Sequence, residues 1–248
     1  MPFQVQDFEK ILNERGVVLS ELQKEQFATY ASMLVEWNSR MNLTAILDIN
    51  GIYEKHFLDS ILPSFQWNMK GTLCDVGAGA GFPSIPLKIL YPDLEVTIVE
   101  PLGKRITFLN ALCEALHIKV NCVNERAEDF AKTHREAFDI VSARAVAPLI
   151  ILSELCIPLV KHGGIFLSMK AANGDEELQE AKYAIHTLGC TLKDSYQEVL
   201  SDGAIRKNYV FEKNKHTPKQ YPRIFAKIKK NPLRGGNKDD KRSKINSN

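Results

Sequence analysis

Apolar residues in the first quarter of the chain recur at three- and four-residue intervals, which is the spacing of amphipathic α-helices. Two such stretches lie within residues 8–12 and 19–37, and a third covers about 52–62 and ends before Pro63. Because proline cannot continue a helix, the third stretch should stop at this point. We therefore predict a helical cap over residues 1–65.

From residue 72 to residue 213 the pattern changes, and short β-branched runs alternate with helical spacing. This alternation predicts a mostly parallel sheet with helices on both faces, a doubly wound, Rossmann-like α/β core over residues 66–213. The last two strands flank the turn Ser201-Asp-Gly203, so they should form an antiparallel edge. The predicted strands are 72–76, 95–99, 118–123, 138–142, 164–169, 191–200 and 206–213, and the predicted helices are 83–91, 103–116, 146–160 and 174–188.

One strand of this core ends in an acid followed by three glycines at alternate positions, Asp75-Val-Gly-Ala-Gly-Ala-Gly81. Glycine at 77, 79 and 81 lets the backbone adopt positive φ and come close to a ligand. Glu100 ends the next predicted strand, about 20 residues after the first glycine, which is the spacing of an acid that holds ribose hydroxyls. The turn is therefore predicted to bind a nucleoside.

The charge around the turn favours a cationic ligand over a dinucleotide. A G-x-G-x-x-G fingerprint would need its third glycine at position 82, where the chain has Phe82, and Asp75 adds negative charge beside any pyrophosphate. S-adenosylmethionine offers an adenosine to Glu100 and a positively charged sulfonium to the acidic turn, and we predict it as the cofactor. An NAD-dependent oxidoreductase on the same fold and a purely structural glycine turn are the alternatives.

The composition is that of a globular protein that folds by itself. With 248 residues and 44% hydrophobic content, the chain can bury the core of one α/β domain. No apolar run reaches the roughly 18 residues that span a bilayer, and no signal-peptide pattern opens the chain, so we expect a cytoplasmic protein. The five cysteines have no C-x-x-C spacing and the histidines no metal-ligand spacing, so neither disulfides nor a metal site is predicted.

Positive charge is concentrated at the C-terminal end of the chain. Residues 213–248 carry 12 Lys and Arg against 2 acidic residues, whereas the rest of the chain has a net charge of −8. A basic tail over 214–248 favours a polyanionic partner, for which nucleic acid is the natural candidate. Aromatic and basic residues interleave in 215–235, whereas 237–248 are predicted to be disordered. The predicted RNA contacts are Arg223, Lys227, Lys229 and Lys230.

Short segments spread along the chain form a recognisable set. They are Glu36-Trp-Asn38, Asn42-Leu-Thr44, His56-Phe-Leu-Asp-Ser60, Asp75-Val-Gly-Ala-Gly-Ala-Gly-Phe-Pro83, Lys104-Arg105, Phe108-Leu109, Arg126-Ala-Glu128, Ser142-Ala-Arg-Ala145, Tyr221-Pro-Arg223 and Pro232-Leu233. Together they resemble the RsmG (GidB) family of bacterial ribosomal RNA methyltransferases over nearly the whole chain. The resemblance implies a class I methyltransferase fold and methyl transfer to N7 of a guanine in 16S ribosomal RNA, guanine 527 of the decoding-centre loop. It also implies 16S RNA or the small ribosomal subunit as the partner, and we expect a monomer.

The resemblance also assigns residues to the cofactor site, all of which follow predicted strands at the edge where ligands of such sheets bind. The chain departs from the commoner family pattern at Ser84 and Ala226, where glycine is frequent. The residues implied by position are Gly77, Phe82, Ala127, Glu128 and Arg144, to which the physical argument adds Asp75, Gly79 and Glu100.

Methylation of guanine N7 requires no base, because N7 already carries an available lone pair, so positioning should dominate catalysis. Arg144 and Lys170 are the predicted catalytic residues, since a cation can donate to guanine O6 while N7 faces the methyl group. For Arg144 the alternative is a structural ion pair with Asp139 or Glu128.

Two further questions stay open at the level of sequence. His56 and Asp59 are three apart on a predicted helix and share a face, which suits an orienting pair over the pocket, although packing between cap and sheet is the expected role. A non-catalytic RNA-binding assembly factor that kept the fold and a small-molecule methyltransferase are the remaining alternative functions. The intact glycine turn argues against the first, and the basic tail argues against the second.

Overall fold

The structure, a computed structural model, describes residues 2–235 of the chain. A π-helical turn, Tyr53–Leu58, and two 3₁₀ turns, Leu62–Phe65 and Ile157–Leu159, accompany the regular elements. The helices are α1 Val5–Glu14, α2 Glu21–Met41, α3 Ile49–Ile52, α4 Asp59–Ile61, α5 Ser84–Leu90, α6 Gly103–Ala115, α7 Ala127–Phe130, α8 Leu149–Cys156, α9 Gly174–Thr187 and α10 Phe225–Lys230. The strands are β1 Thr72–Val76, β2 Glu95–Val99, β3 Val120–Val123, β4 Phe138–Arg144, β5 Val160–Lys170, β6 Cys190–Val199 and β7 Ile205–Lys213.

The seven strands form one sheet in the order β3-β2-β1-β4-β5-β7-β6. Strands β1 to β5 are parallel, whereas β7 is antiparallel to both β5 and β6. The strand order reverses between β1 and β4, so a crevice opens outside their carboxyl ends. This arrangement confirms the predicted doubly wound sheet with an antiparallel edge.

Helices cover both faces of the sheet, and each face has its own apolar cluster. Successive strand residues point to opposite faces. Leu73 and Ile98 accordingly belong to the cluster beneath the cap and helices α5 and α6, whereas Cys74 and Val99, one position further on, pack on the side of α8 and α9. The crevice is therefore supported from above and below by packed side chains.

The cap is held together by aromatic side chains and lies directly on the core. The ring centroid of Phe57, in the π-helical turn, is 5.1 Å from that of Phe27 and 5.0 Å from that of Tyr30. Phe8 of α1 packs edge to face on Phe27 with centroids 5.1 Å apart. All four rings are almost fully buried. This packing brings the π-helical turn to the mouth of the crevice.

Some element bounds differ from the sequence predictions, and proline and glycine account for most differences. The helix predicted for 146–160 is only α8, because Pro148 precedes its first residue and the chain tightens into a 3₁₀ turn at Pro158. Strand β5 starts at Val160 rather than 164, since Gly163, with φ of 79°, and Gly164 interrupt the apolar pattern without ending the strand.

The tail is anchored to the core as far as it is described. The Arg135 guanidinium donates to the carbonyl oxygens of Tyr221 at 2.6 Å and Pro218 at 3.0 Å, and Ile228 of α10 is fully buried. The segment 237–248, predicted to be disordered, lies outside the described residues. Within the described part, none of the helices has the length and apolar character of a bilayer-spanning segment.

Candidate active site

The turn after β1 has a backbone that favours glycine. Gly77, Gly79 and Gly81 have φ values of 70°, 63° and 104°. A Cβ atom on Gly77 would lie 2.9 Å from Cγ2 of Val146, so the loop after β4 closes on this turn. A Cβ on Gly79 would meet no atom within 4 Å. Gly79 is therefore the point at which a ligand can approach the main chain.

Asp75 lies beneath this turn and not on its open face. Its fully buried carboxylate accepts hydrogen bonds from the backbone N of Ser84 at 3.2 Å and from Oγ of Ser142 at 2.9 Å. Burial raises the pKa of Asp75 to about 7, although these bonds and the charge of Arg144 act in the opposite direction. The carboxylate therefore supports the turn from below, and its effect on the ligand stays a prediction.

Glu100 meets the open part of the turn at the carboxyl end of β2. Its carboxylate is 1% exposed and accepts from the backbone N of Gly79 at 3.2 Å and of Leu102 at 3.1 Å. Nη1 of Arg105 lies 3.3 Å from Oε2. A carboxylate beside an unobstructed glycine backbone has the chemistry to accept ribose hydroxyls. The structure thus brings together the acid and the glycine that their spacing had singled out.

The loop after β3 borders the same crevice and contacts the tail. Ala127 and Glu128 begin α7 and are both buried. Oε1 of Glu128 lies 2.6 Å from Nε of Arg126, and the Arg126 guanidinium lies 4.6 Å above the ring centroid of Phe225 in α10. Two of the predicted cofactor-site residues and the basic tail are therefore neighbours along this loop.

A cavity of about 560 Å³ opens beside the glycine turn, at the carboxyl ends of β4 and β5. The cap contributes one wall and the β5–β7 edge another. Four lysine and arginine side chains line it, and each of its two carboxylates is paired with at least one of these cations. The charged and titratable residues that line it are Lys55, His56, Asp59, Arg144, Lys170, Glu177 and Arg206.

Arg144 ends β4 and points across the cavity to the cap. Its Nη1 atom lies 3.0 Å from Oδ2 of Asp59, and its guanidinium lies 4.7 Å from the ring centroid of Phe82. The alternative ion pair with Asp139 or Glu128 is wrong, because those carboxylates pair with Lys161 and Arg126. Arg144 is therefore fixed by the cap and still lines the cavity.

Lys170 lies on the opposite wall, at the end of β5. Its Nζ atom is 2.7 Å from Oε2 of Glu177 and donates to the carbonyl of Ala147 at 2.7 Å. Oε2 of Glu177 also accepts from the backbone N of Leu149 at 2.6 Å. These bonds hold the ammonium group at the cavity surface, so both predicted catalytic cations reach the same cavity.

His56 of the π-helical turn stacks on Phe82, with ring centroids 4.5 Å apart and planes inclined by 17°. Burial, followed by the charge of Arg144, lowers the pKa of His56 to about 3. Nε2 lies 2.7 Å from Oγ1 of Thr44, and Nδ1 lies 3.4 Å from Nη2 of Arg144. The neutral imidazole is thus a packing and orienting group, and a very weak base.

Comparison with known proteins identifies the family of the chain. Residues 23–201 match the family model described as GidB, rRNA small subunit methyltransferase G. The chain belongs to this family. It is 52% identical over 229 residues to the ribosomal RNA small subunit methyltransferase G of Staphylococcus haemolyticus, covering 90% of this chain and 95% of that protein. The protein of the same name from Staphylococcus aureus strain Newman is 51% identical over 227 residues, with the same coverage.

Solved structures of low sequence identity share the fold of this methyltransferase. The structure of M. jannaschii TYW2 in complex with AdoMet superposes with a TM-score of 0.53 at 17% identity, covering 68% of this chain and 79% of that one. The PH0226 protein of Pyrococcus horikoshii OT3 gives a TM-score of 0.53 at 14% identity, with 72% and 99% coverage. Membership of a methyltransferase family decides against the NAD-dependent oxidoreductase.

The residues at the crevice fit S-adenosylmethionine, the cofactor that the sequence predicts. The open backbone at Gly79 leaves room for a close approach, and the buried Glu100 carboxylate beside it is a hydroxyl acceptor. Phe82, in contrast, is 5% exposed and lies between Tyr30 and His56. Its ring therefore supports the turn from the cap side.

The predicted RNA contacts fall into two groups. Lys227, Lys229 and Lys230 are exposed on α10, around the buried Ile228. Arg223 instead donates to the buried carboxylate of Glu154 from its backbone N, Nε and Nη2 at 2.8, 2.8 and 2.6 Å. The geometry of Arg223 is that of an anchor for α10, and its contact with RNA stays a prediction.

Sequence reasoning missed two cations of the cavity, Lys55 and Arg206. Nε of Arg206 lies 3.1 Å from Oδ1 of Asp59, and Nζ of Lys55 lies 2.6 Å from Oδ2 of Asp202. Neither lies in a chemical motif. Arg206 stands at the start of a predicted edge strand, and that strand continues the sheet toward the cavity. This position was the signal that could have placed Arg206 at the cavity.

Proposed function

We propose that this methyltransferase transfers a methyl group from S-adenosylmethionine to N7 of a guanine in 16S ribosomal RNA, with guanine 527 of the decoding-centre loop as the target. Relatives at about half sequence identity that are named ribosomal RNA small subunit methyltransferase G support the RNA substrate. The chemistry of the cavity supports N7 as the atom that accepts the methyl group.

Within residues 2–235, the cavity offers no free general base. Asp59 is shared by Arg144 and Arg206, Glu177 is paired with Lys170, and the low pKa of His56 makes it a poor proton acceptor. An exocyclic amine or a hydroxyl would have to lose a proton, whereas guanine N7 has a lone pair in the neutral base. This site therefore suits a nucleophile that needs only to be positioned.

The cations of the cavity supply that positioning. S-adenosylmethionine, when bound, supplies a methyl group made electrophilic by the adjacent sulfonium. The Arg144 guanidinium or the Lys170 ammonium donates to guanine O6, which leaves N7 free toward the cofactor crevice. Both groups are held by carboxylates on rigid elements, so little reorganisation accompanies base binding.

The target guanine has to leave the RNA stack to enter a cavity of about 560 Å³ between cap and sheet. The exposed lysines of α10 lie next to the β3 loop and would hold the RNA backbone around it. A ribosomal substrate further implies work in the cytoplasm, and we infer that the protein acts there as a monomer.

The experiment measures transfer of a labelled methyl group from S-adenosylmethionine to small ribosomal subunits and to naked 16S RNA. Both substrates are prepared without the methyl group on the target guanine. Nucleoside digestion identifies the product, and borohydride–aniline cleavage at 7-methylguanosine maps its position. We expect 7-methylguanosine at a single position in the decoding-centre loop. A different methylated nucleoside would overturn the assignment of N7, and RNA binding without transfer would favour the non-catalytic assembly factor.

A further inference from the structure

Tyr30, in the middle of α2, reaches from the cap to the glycine turn. Its side chain is fully buried, and its hydroxyl donates to the carbonyl oxygen of Ala80 at 2.6 Å. Ala80 lies between Gly79 and Gly81 and is itself 3% exposed. Water is therefore excluded from this carbonyl, and without the hydroxyl a buried acceptor would lose its partner.

The approach of Tyr30 to the turn depends on glycine at the next position. A Cβ atom on Gly81 would lie 2.8 Å from the Tyr30 hydroxyl oxygen. The Tyr30 ring also stacks on Phe82, with centroids 5.4 Å apart and planes inclined by 13°. One cap side chain thus contacts three consecutive residues of the turn, through a hydrogen bond, a close backbone approach and an aromatic face.

This contact lies on the side of the turn opposite its ligand-binding face. The peptide fixed by Tyr30 joins Ala80 to Gly81 and lies one residue beyond Gly79, whose backbone N donates to Glu100 and whose α-carbon faces open space. A change in the backbone dihedral angles of Ala80 would alter the orientation of Gly79 relative to Glu100. The hydroxyl remains a donor at all physiological pH values, because burial raises the pKa of Tyr30 well above its usual value.

We propose that Tyr30 is a positioning residue for cofactor binding: its hydroxyl fixes the Ala80 carbonyl and thereby holds Gly79 and Glu100 in the geometry that accepts S-adenosylmethionine. The role belongs to the cap, outside the sheet that forms the rest of the cofactor crevice. Preorganisation of this kind raises affinity because the turn loses less conformational freedom on binding.

The test compares Tyr30→Phe with Tyr209→Phe, which removes another hydroxyl from an almost fully buried tyrosine. The hydroxyl of Tyr209 donates to Asp175 at 2.7 Å, away from the glycine turn. Calorimetric titration with S-adenosylhomocysteine should give a Kd about tenfold higher for Tyr30→Phe and an unchanged Kd for Tyr209→Phe. A Kd for Tyr30→Phe within about twofold of the wild-type value would overturn the proposal.

Hydrogen exchange of the cofactor-free protein separates positioning from general loss of stability. Tyr30→Phe should speed exchange of the backbone amides of residues 77–82 relative to the central strands, whereas Tyr209→Phe should leave the turn protected as in the wild type. Equal acceleration across the whole sheet would contradict a specific effect on the turn. In steady-state assays the KM for S-adenosylmethionine should rise while kcat at saturating cofactor changes by less than about twofold.

Discussion

Nη1 of Arg144, at the end of β4, lies 3.0 Å from Oδ2 of Asp59 in the cap, and Nε of Arg206, in β7, lies 3.1 Å from Oδ1 of the same carboxylate. Strand β5 separates β4 from β7 in the sheet. One nearly buried carboxylate therefore joins two guanidinium groups from different parts of the sheet edge, and it links the cap to the core at the wall of the cavity.

Replacement of Asp59 by Ala should leave both guanidinium groups without their partner in a poorly solvated position. We expect the free energy of unfolding to fall by roughly 2–4 kcal/mol, as measured by urea denaturation, and methylation of RNA to fall further than the cofactor affinity. Glu21→Ala is the control, because Glu21 pairs with Lys24 on the exposed surface and this pair contributes little. Equal stability of the two variants would show that Asp59 does not organise the wall.

Replacement of Gly79 by Ala should weaken cofactor binding by more than the backbone strain alone. A non-glycine residue in the left-handed region costs about 1–2 kcal/mol, and at Gly79 the new methyl group would also occupy the open space that faces the crevice. Gly203→Ala is a matched control, since Gly203 has φ of 83° and open space in the β6–β7 turn. Calorimetry should detect at least about a tenfold rise in Kd only for Gly79→Ala.

The sheet and the crevice at its carboxyl edge could be predicted from sequence because their signals are local. Alternation of strand and helix patterns defined the parallel core, and Asp75, the three glycines and Glu100 lie at the ends of adjacent strands. Parallel strands bring their carboxyl ends to the same edge, so local motifs were sufficient to locate the crevice. The orientation of Asp75 was beyond this reasoning, since it depends on the hydroxyl of Ser142 in a different strand.

The partners of the cavity cations were not predictable in the same way. Arg144 and Asp59 are 85 positions apart, and Arg223 and Glu154 are 69 apart. These pairs depend on how the cap and the tail pack on the sheet, which hydrophobic periodicity does not specify. Asp139 was a plausible partner for Arg144 on the same strand, but it faces Lys161 and Thr72 at the opposite end.

His56 should determine part of the pH dependence of the free energy of unfolding. Its pKa is about 3 in the folded protein and about 6.5 when unfolded, so between these values the unfolded chain binds more protons and stability rises with pH, by up to about 1.4 kcal/mol per pH unit. His56→Phe keeps a ring on Phe82 and should lose this slope. Asp75, with its raised pKa, contributes in the opposite direction in both proteins, so the difference between their urea-denaturation curves isolates His56. Replacement of the exposed His117 by Gln is the control and should leave the pH dependence of stability as in the wild type.

The basic helix α10 should account for much of the salt dependence of RNA binding. Lys227, Lys229 and Lys230 are exposed on a segment anchored by Arg223 and Glu154, so each can neutralise a phosphate without reorganisation of the core. Their joint replacement by Ala should weaken RNA binding and reduce the slope of log K against log salt by roughly 2–3, while the Kd for S-adenosylhomocysteine stays the same. The control replaces three exposed lysines elsewhere, Lys10, Lys119 and Lys182, with Ala. Filter binding across a salt series measures this slope. If both triple variants had the same slope, α10 would not belong to the RNA interface.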